Sequence, residues 1–331
     1  MDVANLSGVS KSTVSNVIRG AGRVSDATRR RVLDSIEALG YRPNALARDL
    51  VRRRANTVGV MVGDLANTFY AGLVKLLEVE ASDAAYTTMV CNTDGELALE
   101  RARVETLLER AVVGVVLLQF SGDRMVLDAL RGAQVPAVVV SCHDERVDCV
   151  AVDDRAGMSA AVEHLYDLGH RAIAHVSGHL VEDSTRAARA AGYEAAMRKH
   201  GLPPRLLSAD DWENGDPGAV RRLHELVSGN AGLTAFAAGN DVMAVRLIDQ
   251  LEAGGLRVPE DVSVIGFDGI ELGAHSRIGL TTISQPREEL TTRGLELLLD
   301  RVRGGSVAAP PRCVTLEPRL IVRHSTAAPR A

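Results

Sequence analysis

From Thr57 onward the chain alternates short apolar runs with amphipathic stretches, and few folds accommodate that alternation. Strand-like runs occupy 58–62, 88–91, 112–118, 137–140, 150–152, 173–176, 235–238, 262–267 and 280–283. Between many of them lie segments of helical period, at 156–168, 185–200, 242–253 and 287–303. Strand and helix in repeated alternation specify parallel β-α-β units. Roughly 270 residues of it exceed what one compact sheet needs, so the pattern predicts two doubly wound α/β lobes. The ligand site of such sheets lies beyond the carboxyl ends of the strands.

The first 56 residues follow another logic. They carry eleven Lys and Arg against five Asp and Glu, a net +6, whereas the remaining residues carry 27 against 38, a net −11. The whole-chain charge of −5 hides a basic head on an acidic body. Neutralising phosphates with Lys and Arg supplies most non-specific affinity for DNA, so the head is the part suited to nucleic acid.

Residues 2–39 read as three short helices. Ser10 caps a segment whose apolar residues Val14, Val17 and Ile18 fall at i, i+3 and i+4. A third helix begins after Ser25, with Val32, Leu33, Ile36 and Leu39 on one face and Gly40 closing it. The run from Asp2-Val3-Ala4 through Gly8-Val9-Ser10 to Ser12-Thr13-Val14-Ser15 and Val17-Ile18 has a helix-turn-helix layout. Ala4 permits close approach of helices, Gly8 permits the turn, and Val9 with Val14 fills the angle between them. Pro43-Asn44 then breaks the chain, and helix-forming residues from Ala45 to Leu50 precede Arg52-Arg53-Arg54.

With its continuation into Arg23-Val24-Ser25, Leu39-Gly40-Tyr41-Arg42-Pro43-Asn44 and Leu46-Ala47-Arg48, this run resembles the lactose and purine repressor family. The resemblance continues in order through Asn92-Thr93-Asp94, Glu163-His164-Leu165, Gly239-Asn240-Asp241, Val258-Pro259-Glu260-Asp261-Val262, Gly266-Phe267-Asp268 and Leu280-Thr281-Thr282. It implies a helix-turn-helix DNA-binding head (1–42), a hinge helix and linker (43–56), and a body of two α/β lobes resembling type I periplasmic binding proteins (57–331). The body would bind an effector and form the dimer. The function implied is a sequence-specific DNA-binding transcriptional repressor, with operator affinity set by a sugar or nucleoside held between the lobes.

Carried over by position, Lys11, Ser12 and Asn16 occupy the base-reading face of the recognition helix. Lys can donate to guanine and Asn can pair bidentately with adenine. Thr13 and Ser15 would touch phosphate or cap locally. Asn16 stands where many relatives have arginine, so no operator sequence is carried over. The segment from Asn44 to Leu50 is too short to hold as a helix in water, where about 12–15 residues are marginal, and it needs a partner. In the family two such helices pack in the minor groove and a leucine wedges between base pairs, the role of Leu50 here, with Ala47 at the close approach. Arg48 and the following arginines would meet phosphates, or else form a solvated linker.

In the body the resemblance assigns Asp64, Asn67, Phe69 and Tyr70, after the first strand, to one wall of the effector site; Thr68 replaces a frequent proline. Arg189 matches an arginine that grips hydroxyls or carboxylates, Trp212 an aromatic that stacks on a ring, Asn240 and Asp268 polar contacts of the second lobe, and Gln285 a crossover between lobes. Each has an alternative: Phe69 as core, Arg189 paired to a helix carboxylate, Asp268 as the cap of a turn. Aromatic faces beside Asp, Asn and Arg suit a sugar or nucleoside.

Other classes fit poorly. There is no Gly-rich phosphate loop, G-x-S-x-G elbow or H-E-x-x-H run, and Asp153, His164, His170, His175 and His179 form no nucleophile-and-base motif, so the chain is not expected to be an enzyme. Cys91, Cys142, Cys149 and Cys313 lie far apart or in apolar runs, without zinc-type spacing, and are expected to be buried free thiols, with no metal or cofactor. No apolar run approaches the roughly 18 residues of a membrane span. Met1 to Ser10 has no secretory character, so a cytoplasmic protein is expected, which disfavours a transport-type sugar receptor of the same fold. The helix-turn-helix opens without the capping residues that usually precede Asp-Val-Ala, and the tail from Ser325 has no leucine heptad. A homodimer on a near-palindromic double-stranded operator is the expected assembly.

Overall fold

The computed structural model describes residues 3–19, 24–40, 56–178, 184–209, 218–229, 232–304 and 306–330. The chain divides into two compact units, Met1–Asn56 and Thr57–Ala331.

The first unit contains α1 (Val3–Ser7), α2 (Lys11–Arg19) and α3 (Asp26–Ala38). Gly8 turns the chain between α1 and α2 at a φ of 66°, where a β-carbon would be strained, and the Val9 N–H donates to Ala4 O at 3.1 Å. Ser10 caps α2 by accepting from the Thr13 N–H at 3.1 Å, and Ser25 caps α3 by accepting from the Thr28 N–H at 3.3 Å. Val3, Ala4, Val14, Val17 and Val32 form the core, with Val9, Ile18, Val24, Ile36 and Leu39 packed against it. Leu33 departs from the sequence expectation: it is 49% exposed, because the apolar face of α3 follows Val32, Ile36 and Leu39.

The second unit holds two six-stranded sheets. In the first lobe the elements run β1 (Thr57–Val62), α4 (Thr68–Asp83), β2 (Thr87–Asn92), α5 (Leu97–Glu109), β3 (Gly114–Leu118), α6 (Arg124–Gly132), β4 (Ala137–Val140) and β5 (Asp148–Val152). The second lobe follows with α7 (Asp154–Asp167), β6 (Ile173–Ser177), α8 (Thr185–Lys199), β7 (Leu206–Ser208), α9 (Ala219–Ser228), β8 (Ala235–Ala238), α10 (Asp241–Ala253), β9 (Ser263–Asp268) and β10 (Thr281–Ser284). The chain then returns as α11 (Arg287–Gly304) and β11 (Cys313–Leu316), and ends in the second sheet with β12 (Arg319–Ile321).

Strand orders are β11-β5-β4-β3-β1-β2 and β12-β10-β9-β8-β6-β7. Every recorded pairing is parallel except β10 with β12. The order reverses between β1 and β3 in one sheet and between β6 and β8 in the other, the switch points at whose strand carboxyl ends sheets of this kind take ligands. Among the described residues three crossings link the lobes: β5 into α7, β10 into α11, and β11 into β12.

Central strands β3, β5, β6, β8 and β9 are buried along their whole length, as parallel strands covered on both faces must be. Helix α11 covers the first sheet so closely that a β-carbon on Gly294 would stand 2.5 Å from Val140, and one on Gly114 would stand 2.9 Å from Leu298. Three strands were not anticipated: β7, β11 and β12 have only three or four residues and largely exposed or half-buried side chains, so no apolar run marks them. The expectation of four free thiols also fails. Cys149 and Cys313 form a disulfide between β5 and β11, whereas Cys91 and Cys142 are free. Their 164-residue separation hid a pairing that the return of the chain through α11 creates.

Candidate nucleic-acid face and effector cleft

In the first unit α2 turns its apolar side inward through Val14 and Val17 and leaves Lys11 and Ser12 exposed, with Thr13, Ser15 and Asn16 half-buried. The Ser10 hydroxyl lies 2.7 Å from Ser12 Oγ and 2.9 Å from Thr13 Oγ1, so the first turn of α2 is ordered by hydroxyls. These five residues share one short helix, as a base-reading or phosphate-contacting surface requires. Asn44, Ala47, Arg48 and Leu50 lie outside the described residues, as does Trp212.

In the second unit the carboxyl ends of the strands bring charged groups together around Arg189 on α8. Its Nε donates to Asp154 Oδ1 at 2.7 Å, its Nη1 donates to Gly239 O at 2.6 Å and reaches Asp268 Oδ1 at 3.4 Å, and the guanidinium carbon sits 3.7 Å above the Phe267 ring. Burial works against the Arg189 charge, but Asp154 and Asp268 outweigh it and the group is held more firmly protonated than usual. Asp268 ends β9 at a φ of 125°, a conformation costly for any residue with a β-carbon. Gln285, on the second crossing, donates from Nε2 to Asp268 Oδ1 at 2.7 Å, and the Ser141 hydroxyl at the end of β4 reaches Gln285 Oε1 at 3.4 Å. Residues from both lobes and a crossing thus form one network.

Burial raises the Asp268 carboxyl to about 7, against the opposing pull of Arg189. Tyr70 faces this cluster from the first lobe, and its hydroxyl is held well above its usual range by burial and then by Asp268. The Cys142 thiol is pushed up to about 12 by burial, with Asp154 and Asp144 adding to the effect. Burial also raises the carboxyls of Asp154 and Asp241. Asp241, at the start of α10, accepts the N–H groups of Gly269 and Ile270 at 2.8 Å each, which holds the strained turn after Asp268.

Of the residues singled out in the sequence, Tyr70, Arg189, Asp268 and Gln285 are brought together. Asp64, Asn67 and Asn240 instead serve their own backbones: Asp64 accepts from the Ala66 N–H at 2.8 Å, Asn67 caps α4 through the Phe69 N–H at 3.0 Å, and Asn240 caps α10 through the Met243 N–H at 2.8 Å. Phe69 is 1% exposed in the core of the second unit and meets Tyr70 edge-on, with ring centroids 5.2 Å apart. It supports the wall rather than facing the cluster. Asp154, Asp241, Ser141 and Cys142 were missed. A second aspartate beside the cap Asp153 was the available signal for Asp154, but adjacent carboxylates do not say which one turns inward.

Three histidines of the body, His164, His170 and His175, are held in bonds inside the second lobe. Burial lowers His175 to about 4, and its Nδ1 lies 2.8 Å from Ala237 O; burial also lowers His164 and His170, which bond to Thr326 Oγ1 at 3.0 Å and to Ala327 O at 2.8 Å. No helix among the described residues is long and apolar enough to cross a membrane.

Comparison with known proteins agrees with both halves of this architecture. Residues 1–44 match the model for bacterial regulatory proteins of the lacI family, and residues 162–326 match a periplasmic binding protein-like domain. The chain is 34% identical to the HTH-type transcriptional repressor PurR of Photobacterium profundum, over 98% of this chain and 97% of that protein. It is 36% identical to the ribose operon repressor of Escherichia coli, over 91% of this chain and 92% of that protein. Among solved structures, the lac repressor dimer bound to operator and the anti-inducer ONPF superposes with a TM-score of 0.80 at 27% identity, covering 99% of this chain and 98% of that one.

Proposed function

This chain belongs to the lacI family of bacterial regulatory proteins, and from that premise we propose how its two units act together. It is a DNA-binding transcriptional repressor, not an enzyme, and it is regulated by a small effector bound between the two lobes. Two copies present their α2 helices to successive major grooves of a near-palindromic operator, about 34 Å apart or as a bend permits. Lys11, Ser12 and Asn16 read base edges, Thr13 and Ser15 meet phosphate, and Leu50 wedges into the minor groove, flanked by Asn44, Ala47 and Arg48.

The observation that carries the effector reading is the Arg189 network. A guanidinium has five N–H groups. With Nε and Nη1 engaged by Asp154, Gly239 and Asp268, the Nη2 pair serves a ligand hydroxyl. Arg189 has buried carboxylates around it in Asp154, Asp241 and Asp268, so an anionic ligand would enter a field already balanced against it. A neutral polyhydroxy ligand, a sugar or a nucleoside without phosphate, fits: its hydroxyls donate to Asp268 and accept from Arg189 while Tyr70 covers one face. Trp212 would stack on its ring.

Ligand binding alters lobe closure and, through it, the hinge that Leu50 ends. A ligand acts only by its differential affinity, and a swing from 1:99 to 99:1 takes about 5.5 kcal/mol. The test is a gel shift with the DNA upstream of the gene, joined to a titration of neutral and phosphorylated sugars and nucleosides followed by the fluorescence of the sole tryptophan. A discrete, competitor-resistant complex, weakened at least ~10-fold by Leu50→Ala, is expected. Saturable fluorescence changes are expected with a neutral ligand only. Tight binding of the phosphorylated form would overturn the effector class and leave the DNA reading standing.

A further inference from the structure

The edge of the first lobe carries a chemistry that the effector cleft does not use. Cys149 on β5 and Cys313 on β11 face each other in register, with their Cα atoms 4.6 Å apart. Cys149 is buried, whereas Cys313 is exposed. The residues just before them form a clamp. Buried Asp148 accepts from Arg301 at 2.8 and 2.7 Å, from the Arg312 guanidinium at 3.0 Å and from the Arg312 N–H at 2.8 Å, while the Cys149 N–H donates to Arg312 O at 2.9 Å. This clamp sets the register without help from the sulfur–sulfur bond. The two thiols of a reduced chain therefore remain neighbours, as a reversible pair requires.

Both strands are also ones that leave the lobe. β5 runs into Asp153 and the first crossing, and β11 runs through Glu317 and Pro318 into the third. Asp153 donates its N–H to Leu316 O at 3.0 Å, the backbone bond at the point where the two strands part.

We propose that Cys149 and Cys313 form a reversible oxidation site, closed by hydrogen peroxide and reopened by a small dithiol, whose closure stiffens the first and third crossings between the lobes. The Cys313 thiolate attacks one peroxide oxygen. The O–O bond breaks, the departing hydroxide takes up the thiol's proton as water, and a sulfenic acid remains on Cys313. The Cys149 sulfur, losing its proton, attacks the Cys313 sulfur; the S–O bond breaks and a second water leaves as the S–S bond forms. Two thiols and one peroxide thus give one disulfide and two waters. In the reverse direction a dithiol attacks the exposed Cys313 sulfur, passes through a mixed disulfide and leaves as its own disulfide. Cys91 and Cys142 are poor competitors, since both thiols are raised by burial.

The proposal does not rest on the effector assignment, and its test reads neither effector nor DNA. The full chain is reduced with dithiothreitol, desalted without oxygen and treated with one equivalent of hydrogen peroxide. Peptide mass spectrometry should find 149 linked to 313, the chain lighter by two hydrogens, Cys91 and Cys142 still open to alkylation, and full reversal by dithiothreitol. Amide exchange at Asp153 should be at least ~10-fold slower in the oxidised form. Cys313→Ser, a change at an exposed position, should fold and lose both effects. Equal exchange in the two forms would overturn the proposal, as would over-oxidation of Cys313 without a bond. So would stoichiometric capture of zinc by the reduced chain that blocks oxidation: His143 Nδ1 lies 3.9 Å from the Cys149 sulfur, and the three possible ligand atoms fall within 4.8 Å of one another.

Discussion

Asp268 combines a strained backbone, a short bond from Gln285, a longer one from Arg189 and a carboxyl raised to about 7 by burial. An acid that titrates higher in the folded chain than in the unfolded one, near 3.9 for Asp, binds its proton more tightly when folded. Its contribution to stability therefore falls as pH rises from about 4 to about 7. We expect Asp268→Asn to remove that slope, so that urea midpoints at pH 5 and pH 7 differ less in the variant than in the parent. Asp154 and Asp241 shift in the same direction and repel the Asp268 charge, so the lost slope includes the relief of that repulsion. At this scale the sequence was readable where a motif ends a strand: Gly266-Phe267-Asp268 and Gln285 after β10 pointed into the cleft. It was unreadable where two neighbours share one chemistry, since Asp153 caps α7 through the Ala156 N–H at 2.8 Å while Asp154 turns inward to Arg189.

Helices α7 and α8 carry the two halves of the Asp154–Arg189 pair, and their packing sets its length. Gly192 stands against α7 so closely that a β-carbon there would lie 2.3 Å from the Arg155 carbonyl oxygen, and Ser159 donates to Gly192 O at 3.0 Å. Gly192→Ala must push the helices apart, with an expected loss of about 1–3 kcal/mol in urea unfolding. The same shift lengthens the 2.7 Å bond from Arg189 to Asp154, so weaker effector binding in the fluorescence titration should accompany it. Continuous apolar runs marked the central strands because those strands are buried on both faces. The edge strands β7, β11 and β12 escaped because they are short and partly exposed, and with them went the register that pairs Cys149 with Cys313.

For the whole molecule, two lobes were legible from the number of βα units, and the basic head from charge distribution alone. Light scattering of the full chain should report a dimer, and Lys11→Ala should weaken operator binding while reducing the slope of log affinity against log salt by about 1 if Lys11 meets a phosphate, or relaxing preference at one base pair if it reads guanine. The return of the chain through α11 has a consequence for biosynthesis. β1 to β5 are complete by Val152, but Leu290, Leu295, Leu298 and Leu299 of α11 cover the same apolar face as Val116, Val140 and Val150. As the ribosome moves from the amino to the carboxyl end, the first lobe waits with that face covered only in part, by Phe69, Leu73 and Leu77 of α4, until the last helix has emerged, although its strands were the first of the body to be made. A message cut short before residue 287 would therefore yield a chain that keeps its DNA-reading helices attached to an unfinished, aggregation-prone lobe.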